Sequence, residues 1–268
     1  MERYIPLKTY HDVACVRRSC RIASETLLHL LGFVRPGITT LELNALAAGF
    51  IRRCGARPGV EAGFPGSICI SVNSQVAHAF PSAYALRDGD MLSLDVAVEK
   101  EGWYGDTAVS VLVGEGSDEA RRLLAAGRKA LAAGVAALRA GSRLGDVGAA
   151  IQAVAEQENC RVIEECVGHG VGRHLHEEPE VPHTGRAGEG KRIIPGMVLA
   201  VEPALTSGCG EIVMSEDGWT IMTADGAPAV QFEITAAVFR DKTQILTASP
   251  WPEIPGPGCE LAGLPTLG

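Results

Sequence analysis

The sequence of 268 residues lacks the features that mark several classes of protein. It has no run of about 18 apolar residues, the length that a membrane-spanning helix needs. Its first residues are mixed and polar, without the basic start and apolar stretch of a secretory signal. It also lacks a cluster of Lys and Arg, and its net charge is −8. We therefore expect a cytoplasmic protein with no membrane segment and no specificity for nucleic acid.

Cys-x-x-Cys pairs are also absent, although the chain contains eight cysteines. Their spacing fits neither a zinc finger nor the disulfide framework of a small secreted domain. We expect free thiols, most of them buried. With 46% hydrophobic and 21% charged residues, the chain has the composition of a globular protein that can bury a core without such supports.

The spacing of apolar residues predicts two pairs of helices, each pair followed by strands. Helices are predicted over residues 11–32, 40–54, 118–140 and 143–159, with Thr40, Ser117 and Ser142 at the starts of the last three. Alternation predicts strands over residues 67–72, 91–98 and 107–113, and further strands between the glycine-rich segment 168–172 and residue 247.

A weak internal repeat relates the two halves. Arg35-Pro36-Gly37 precedes the second helix, and Arg139-Ala140-Gly141 precedes the fourth at an offset of 104 residues. Two α/β halves with a site at their junction are therefore expected. We assign residues 1–248 to a single domain and residues 249–268, rich in Pro and Gly, to a loosely held tail.

Two aspartates fall in the predicted strands, on the faces that carry small residues. Asp95 alternates with bulky apolar neighbours, and Asp106 precedes the next alternating segment with the same parity. A hairpin turning at Glu101-Gly102 would place both carboxylates on one face. Two buried carboxylates repel each other, and a metal ion is the simplest partner for them. The alternative without function is a turn cap and an edge position.

Three further residues can complete such a site. His169 lies between glycines that let the backbone approach closely, Glu202 follows an apolar strand, and Glu233 lies in a strand where charge is unexpected. Each alone has an ordinary structural explanation. Together the four carboxylates and one imidazole match two divalent cations, and these ligands suit Mn, Fe, Co or Zn. Such ions at a separation of about 3.5–4 Å are typical of two-metal hydrolases.

Nine short motifs follow one another in order within residues 10–247. They are residues 67–73, 88–95, 105–107, 168–173, 176–179, 195–197, 201–203, 217–220 and 231–233. Through these motifs the chain resembles the type I methionine aminopeptidases. The resemblance implies the α+β pita-bread fold, with two pseudo-symmetric helix-helix-strand halves around a curved antiparallel sheet. It also implies removal of N-terminal methionine from chains whose second residue is small.

The resemblance assigns roles to individual residues. It implies five metal ligands, Asp95, Asp106, His169, Glu202 and Glu233. It implies that His78 contacts the substrate near the scissile amide, that His176 hydrogen-bonds the carbonyl oxygen as this gains charge, and that Glu202 also shuttles a proton. The implied substrate pocket consists of Phe64, Cys69, His78, Leu175, His176 and Trp219.

The pocket departs from the family pattern at four places, whereas the metal ligands do not. Glu61 and Leu175 stand where aromatic residues are common, Pro58 stands where Cys is common, and Ala79 follows His78 in place of Gly. These departures leave open an aminopeptidase of this fold with an altered first-residue preference. A non-catalytic module of the same fold that binds a partner is a third hypothesis. An X-Pro peptidase is disfavoured, because those enzymes usually carry a large additional N-terminal domain.

The partners follow from the same resemblance. It implies the N-termini of peptides and nascent chains as substrates, with a transient contact to the ribosome. We expect the protein to be a monomer.

Overall fold

The computed structural model describes residues 4–250 and 260–262, which contain four helices and eighteen strands. The helices are α1 (Tyr10–Leu31), α2 (Thr40–Arg53), α3 (Asp118–Ala137) and α4 (Leu144–Gln157). The strands are β1 (Arg57–Pro58), β2 (Cys69–Val72), β3 (Gln75–Ala77), β4 (Met91–Asp95), β5 (Val98–Lys100), β6 (Trp103–Gly105), β7 (Ala108–Leu112), β8 (Arg161–Val162), β9 (Gly168–Gly170), β10 (Glu177–Val181), β11 (Val198–Val201), β12 (Ala204–Thr206), β13 (Ile212–Met214), β14 (Ile221–Thr223), β15 (Ala229–Gln231), β16 (Ile234–Val238), β17 (Lys242–Ile245) and β18 (Glu260–Ala262).

The four predicted helices are present, but two of them are capped by a different residue from the one predicted. The N-cap of α2 is Thr39, not Thr40, because Thr39 accepts a hydrogen bond from Glu42 N and its own N–H donates to the Glu42 carboxylate. The Thr40 hydroxyl instead donates to Ser82 O at 2.9 Å. The predicted cap of α3 is confirmed, since the Ser117 hydroxyl accepts from the N–H of Ala120, the third residue of that helix.

The cap of α4 is shifted in the opposite direction, from Ser142 to Arg143. Ser142 does not cap this helix, because its hydroxyl donates back to Ala137 O and Arg139 O at 3.0 and 2.7 Å. Arg143 takes the N-cap position, and its N–H donates to the Asp146 carboxylate at 2.7 Å. The Ser142 hydroxyl bonds to carbonyl groups of the preceding turn and is not available to cap α4. The spacing of apolar residues does not predict such local side-chain hydrogen bonds.

All strand pairings in the described ranges are antiparallel, and they form five sheets. The largest has the order β10-β9-β11-β16-β17-β18, and the others are β1-β5-β6, β2-β4-β7, β15-β12-β8 and β13-β14-β3. Helix α1 packs against α2 and β6, while α3 packs against α4, β12 and β15. The arrangement confirms the predicted α+β class.

The internal repeat is visible in the backbone. Helices α2 and α4 are both 14 residues long. Before α2, the N–H of Gly37 donates to Leu86 O at 2.7 Å, and before α4 the N–H of Gly141 donates to Ile193 O at 2.9 Å. Both glycines have φ near +90°, a conformation that other residues rarely adopt. The second helix of each half is therefore preceded by the same local structure.

The core lies between the helices and the sheets and holds Phe232 in place. Phe232 is fully buried, and a Cβ atom on Gly127 of α3 would lie only 2.7 Å from its ring. The helix can therefore pack this closely only because residue 127 is glycine. Phe232 immediately precedes Glu233, so the packing fixes the backbone from which that carboxylate projects.

The tail predicted over residues 249–268 lies largely outside the described residues. Of it, residues 249–250 and strand β18 are described, and β18 pairs with β17 in the register Thr243↔Leu261. The boundary at residue 248 stays a prediction. No helix in the described part of the chain is long and apolar enough to span a bilayer.

Candidate active site

Asp95 and Asp106 meet on the small-residue face of the β2-β4-β7 sheet. In this sheet Asp95 lies opposite Ala108, and Ser93 lies opposite Ser110, whose hydroxyl is 2.6 Å from that of Ser93. The predicted face is thus present. The predicted hairpin is confirmed, because the turn at Glu101-Gly102 joins β5 to β6 and the same register continues through Val96 N, which donates to Thr107 O at 3.0 Å. Strands β4 and β7 continue the two arms of this hairpin, although β5 and β6 belong to a separate sheet with β1.

Glu233 is tied to the same sheet through its backbone. Its N–H donates to Ala108 O at 2.8 Å, and its carbonyl oxygen accepts from the Thr107 hydroxyl at 2.9 Å. The segments around Asp106 and Glu233 are therefore held together by one main-chain hydrogen bond and one from a side-chain hydroxyl. This places a residue from the second half of the chain beside two from the first.

His169 completes the cluster from β9. Its ring Nε2 lies 3.3 Å from Glu202 Oε1 and 3.9 Å from Asp106 Oδ2. Its Nδ1 lies 2.9 Å from Gly170 O, which assigns the proton to Nδ1 and leaves the lone pair of Nε2 facing the carboxylates. Metal-binding histidines usually show this arrangement.

The glycines on each side of His169 are required by close backbone contacts. A Cβ atom at Gly168 would lie 2.3 Å from Ala200 O, and one at Gly170 would lie 2.4 Å from Glu178 O. Any larger residue would push β9 away from β10 and β11. The close backbone approach predicted at these glycines is therefore present.

The electrostatics of the cluster call for a cation. Burial raises the pKa of Asp95, Glu202 and Glu233 well above the ordinary values, and the neighbouring carboxylates add to each increase. Burial also raises the pKa of Asp106 to about 6 and lowers that of His169 to about 3. Such a group of charges is costly without a counter-ion.

Two unsatisfied atoms point to where a cation would bind. Among the described residues, Glu202 Oε1 and Glu233 Oε1 are buried and have no hydrogen-bond partner. Asp106, His169 and Glu233 each offer one atom that can bind a metal ion, and these three atoms all lie within 4.8 Å of one another. Buried carboxylate oxygens without donors fit hard or borderline divalent ions. The residues present therefore fit metal binding.

His78 and His176 flank the cluster at the open side. The ring of His176 lies edge-on to that of His169, with centroids 4.4 Å apart, and its Nδ1 lies 3.3 Å from Glu61 Oε1. Burial lowers the pKa of His78, and its backbone has a φ of 56°. Both rings face the space in front of the carboxylates.

One cavity of about 60 Å³ joins all of these groups. It is lined by every residue predicted as a metal ligand or as part of the substrate pocket, together with Val60, Glu61 and Ala97. Phe64 and Trp219 meet edge to face in its wall, with centroids 5.4 Å apart. The departures Glu61 and Leu175 lie in this wall as well, whereas Pro58 and Ala79 do not line it.

His183 belongs to the site and was not identified from the sequence. It is 1% exposed, its Nε2 accepts from Glu202 N at 3.1 Å, and its Nδ1 lies 2.9 Å from Cys166 O. The ring therefore links the backbone of a candidate ligand to a neighbouring segment. A lone histidine near Pro182 carries no sequence signal for such a contact.

The burial of His183 gives a pH dependence with a defined sign. Burial lowers its pKa to about 4, compared with about 6.5 in an unfolded chain. The unfolded state then binds the proton more tightly, so stability from this group is present above about pH 6.5 and is lost as the pH falls towards 4. Between pH 7 and 4, the wild type should lose up to about 3 kcal/mol relative to His183→Gln. Urea denaturation of both metal-free proteins measures this, and parallel pH curves would contradict it.

Known proteins with similar sequences match this chain over most of its length. Residues 14–239 match the model of metallopeptidase family M24. The chain is 41% identical over 245 residues to a methionine aminopeptidase of Clostridium perfringens, covering 91% of this chain and 98% of that protein. It is 39% identical over 242 residues to methionine aminopeptidase 1 of Bacillus subtilis, covering 90% and 98%.

Solved structures show the same relationship in three dimensions. The crystal structure of methionine aminopeptidase from Rickettsia prowazekii superposes with a TM-score of 0.89 at 38% identity, covering 91% of this chain and 100% of that one. An Xaa-Pro dipeptidase from Bacillus anthracis superposes with a TM-score of 0.74 at 23% identity, covering 92% of this chain and 63% of that one. The second likeness concerns the fold alone.

Proposed function

The chain belongs to metallopeptidase family M24 and has its pita-bread fold, and we propose that it is a metal-dependent aminopeptidase that removes N-terminal methionine. One observation carries the proposal. The carboxylates and the imidazole converge in one cavity, with two buried carboxylate oxygens unsatisfied, directly beside a wall of aromatic and sulfur-containing side chains. The names of the curated relatives point to the same reaction.

We propose that the cluster binds two divalent ions, which Mn, Fe, Co or Zn could supply. Asp95, Asp106, His169, Glu202 and Glu233 would hold them. When bound, such ions lower the pKa of water and polarise a substrate carbonyl. Four carboxylates and a neutral imidazole balance the charge of two divalent cations, and this would remove the repulsion described above.

The surrounding residues have separate tasks in this proposal. Glu202, held through its backbone by His183 and through Oε2 by Gln231 at 3.4 Å, takes the proton of the attacking water and returns it to the leaving amine. His176 hydrogen-bonds the carbonyl oxygen as negative charge develops on it. His78 orients the scissile amide from the same side of the cavity.

The first side chain of the substrate would enter between Phe64, Cys69 and Trp219. Burial raises the pKa of the Cys69 thiol well above its ordinary value, so the thiol is uncharged. An uncharged sulfur and two aromatic rings suit the polarisable thioether of methionine. The proposal therefore includes a preference for methionine at the first position.

The test is hydrolysis of Met-Ala-Ser and Met-Gly-Ser by the purified protein with added Mn, Fe or Co. We expect free methionine from both peptides, and none from N-acetylated copies, which lack the free amine. Chelation should stop the reaction, and restoring the ion should return it. Absence of methionine release with every metal would exclude the proposal.

A second candidate differs only in the first residue removed. It is favoured by Glu61 and Leu175, which line the same cavity, with Glu61 in contact with His176. A carboxylate in that wall can admit a polar or basic first residue that an aromatic wall would exclude. A peptide library varied at the first position separates the candidates, because a clear preference for methionine rejects the second.

Further parts of the proposal concern the setting of the enzyme. We propose that it acts in the cytoplasm as a monomer, on free N-termini that emerge during synthesis, with a transient contact to the ribosome. We assign catalysis to residues 1–248 and no catalytic role to residues 249–268. Gel filtration with light scattering checks the oligomeric state.

A further inference from the structure

A second cavity opens behind the groups that flank the metal cluster. Its volume is about 250 Å³, and four side chains line both this cavity and the first: His78, His169, His176 and Glu202. The two spaces therefore meet where the proposed function places the scissile bond. Gln231 and Ile221 also line the second cavity.

The position of this cavity determines what part of a peptide it can take. If the first side chain fills the wall of Phe64, Cys69 and Trp219, the main chain must leave past the four shared side chains. The second cavity is the space that begins at those side chains. The residues that follow the cleaved bond would therefore lie along it.

The charge of the second cavity is one-sided. Glu165 and Glu180 line it, and both are exposed. No Lys or Arg of residues 4–250 lines either cavity. Within the same residues, neither glutamate forms an ion pair with a basic side chain. The two negative charges thus remain when the buried carboxylates are neutralised by metal.

We propose that Glu165 and Glu180 make the enzyme select peptides by the charge of the residues after the cleaved bond, favouring basic side chains and disfavouring acidic ones. The inference rests on the proposed function and extends it from the first residue to those that follow. Charges of one sign along a cleft raise the local concentration of oppositely charged substrate and its rate of association. The effect belongs to kcat/KM and weakens with salt.

The experiment compares Met-Ala-Lys, Met-Ala-Gln and Met-Ala-Glu peptides of equal length on the metal-loaded full chain. At low ionic strength kcat/KM should be about tenfold higher for the Lys peptide than for the Glu peptide. Addition of about 0.5 M NaCl should reduce this ratio to below about twofold. A ratio near one at low salt would overturn the inference.

Two double variants identify the source of the ratio. In Glu165→Gln with Glu180→Gln, the Lys-to-Glu ratio should fall to below about twofold. The matched control, Glu164→Gln with Glu119→Gln, changes net charge equally at two exposed sites outside the cavity and should keep the ratio. Because the readout is a ratio, a general change in activity cancels. If the first double variant keeps the full ratio, the inference is wrong.

If the proposed function is wrong, the same experiment gives a different result from a failure of the charge selection. No methionine would then be released even from Met-Ala-Gln, and calorimetric binding of the same three peptides would decide the charge selection by itself. The wild type should bind the Lys peptide about tenfold more tightly than the Glu peptide, and the first double variant should bind both alike. Equal affinities in the wild type would overturn the inference independently of catalysis.

Discussion

Replacing Glu202 by glutamine should lower kcat by about three orders of magnitude while the protein remains folded. Glutamine has nearly the same shape, and the backbone contact to His183 does not involve the side chain that is changed. The variant loses the group that we assign to proton transfer and one donor for the proposed metals. The measurement is kcat on Met-Ala-Ser at saturating metal.

The same substitution, although it lowers activity, should stabilise the protein when metal is absent. Glu202 lies buried among carboxylates that repel it, so the uncharged side chain should raise the melting temperature of the metal-free protein. Added metal should then stabilise the wild type more than the variant. Glu164→Gln makes the same chemical change at an exposed position and serves as control. Wild-type kcat in Glu202→Gln would exclude its proposed role.

Replacing Lys8 by methionine should destabilise the protein by about 3–5 kcal/mol, because it leaves a buried charge without its partner. Lys8 forms an ion pair with Glu177, and each side chain is only 4% exposed. The Glu177 carboxylate also accepts from Arg173 N and His174 N at 2.7 and 3.1 Å. Urea denaturation of the metal-free protein measures the loss.

The Lys8 variant should also lose activity, since Glu177 directly follows His176 and holds the loop that carries it. The double variant Lys8→Met with Glu177→Gln removes both charges and should be less destabilised than Lys8→Met alone. Arg18→Met breaks an ion pair to Glu101 that is largely exposed, and it should change stability little. Equal losses in the Lys8 and Arg18 variants would contradict the buried-pair explanation.

Alternation along the strands was enough to predict which face carries the two aspartates. The residues opposite Asp95 are small, as its parity required, and the apolar partners Leu94 and Val109 pair on the other face. The hairpin turn between those strands was predictable as well, since Glu101-Gly102 joins β5 to β6. Alternation did not predict the interruption after Asp95, beyond which β5 and β6 pair with β1 in a separate sheet.

Contacts between distant segments account for what the sequence could not show. The approach of Glu61 to His176 joins two loops, and the bond from Glu202 N to His183 joins a strand to a buried ring. Neither contact leaves a periodic or spaced pattern in the sequence. By contrast, the glycines beside His169 could be interpreted in advance, because close backbone approach restricts the residue type at a single position.

The tie between Glu233 and the β7 segment has a consequence for synthesis of the protein. Its N–H and carbonyl oxygen bond to Ala108 O and to the Thr107 hydroxyl, so the segment with the last proposed metal ligand attaches next to the one that carries Asp106. A growing chain that has emerged only as far as Glu202 contains the other four proposed metal ligands but lacks the segment that carries Glu233. Firm capture of metal should therefore occur late in translation and report that both halves have assembled.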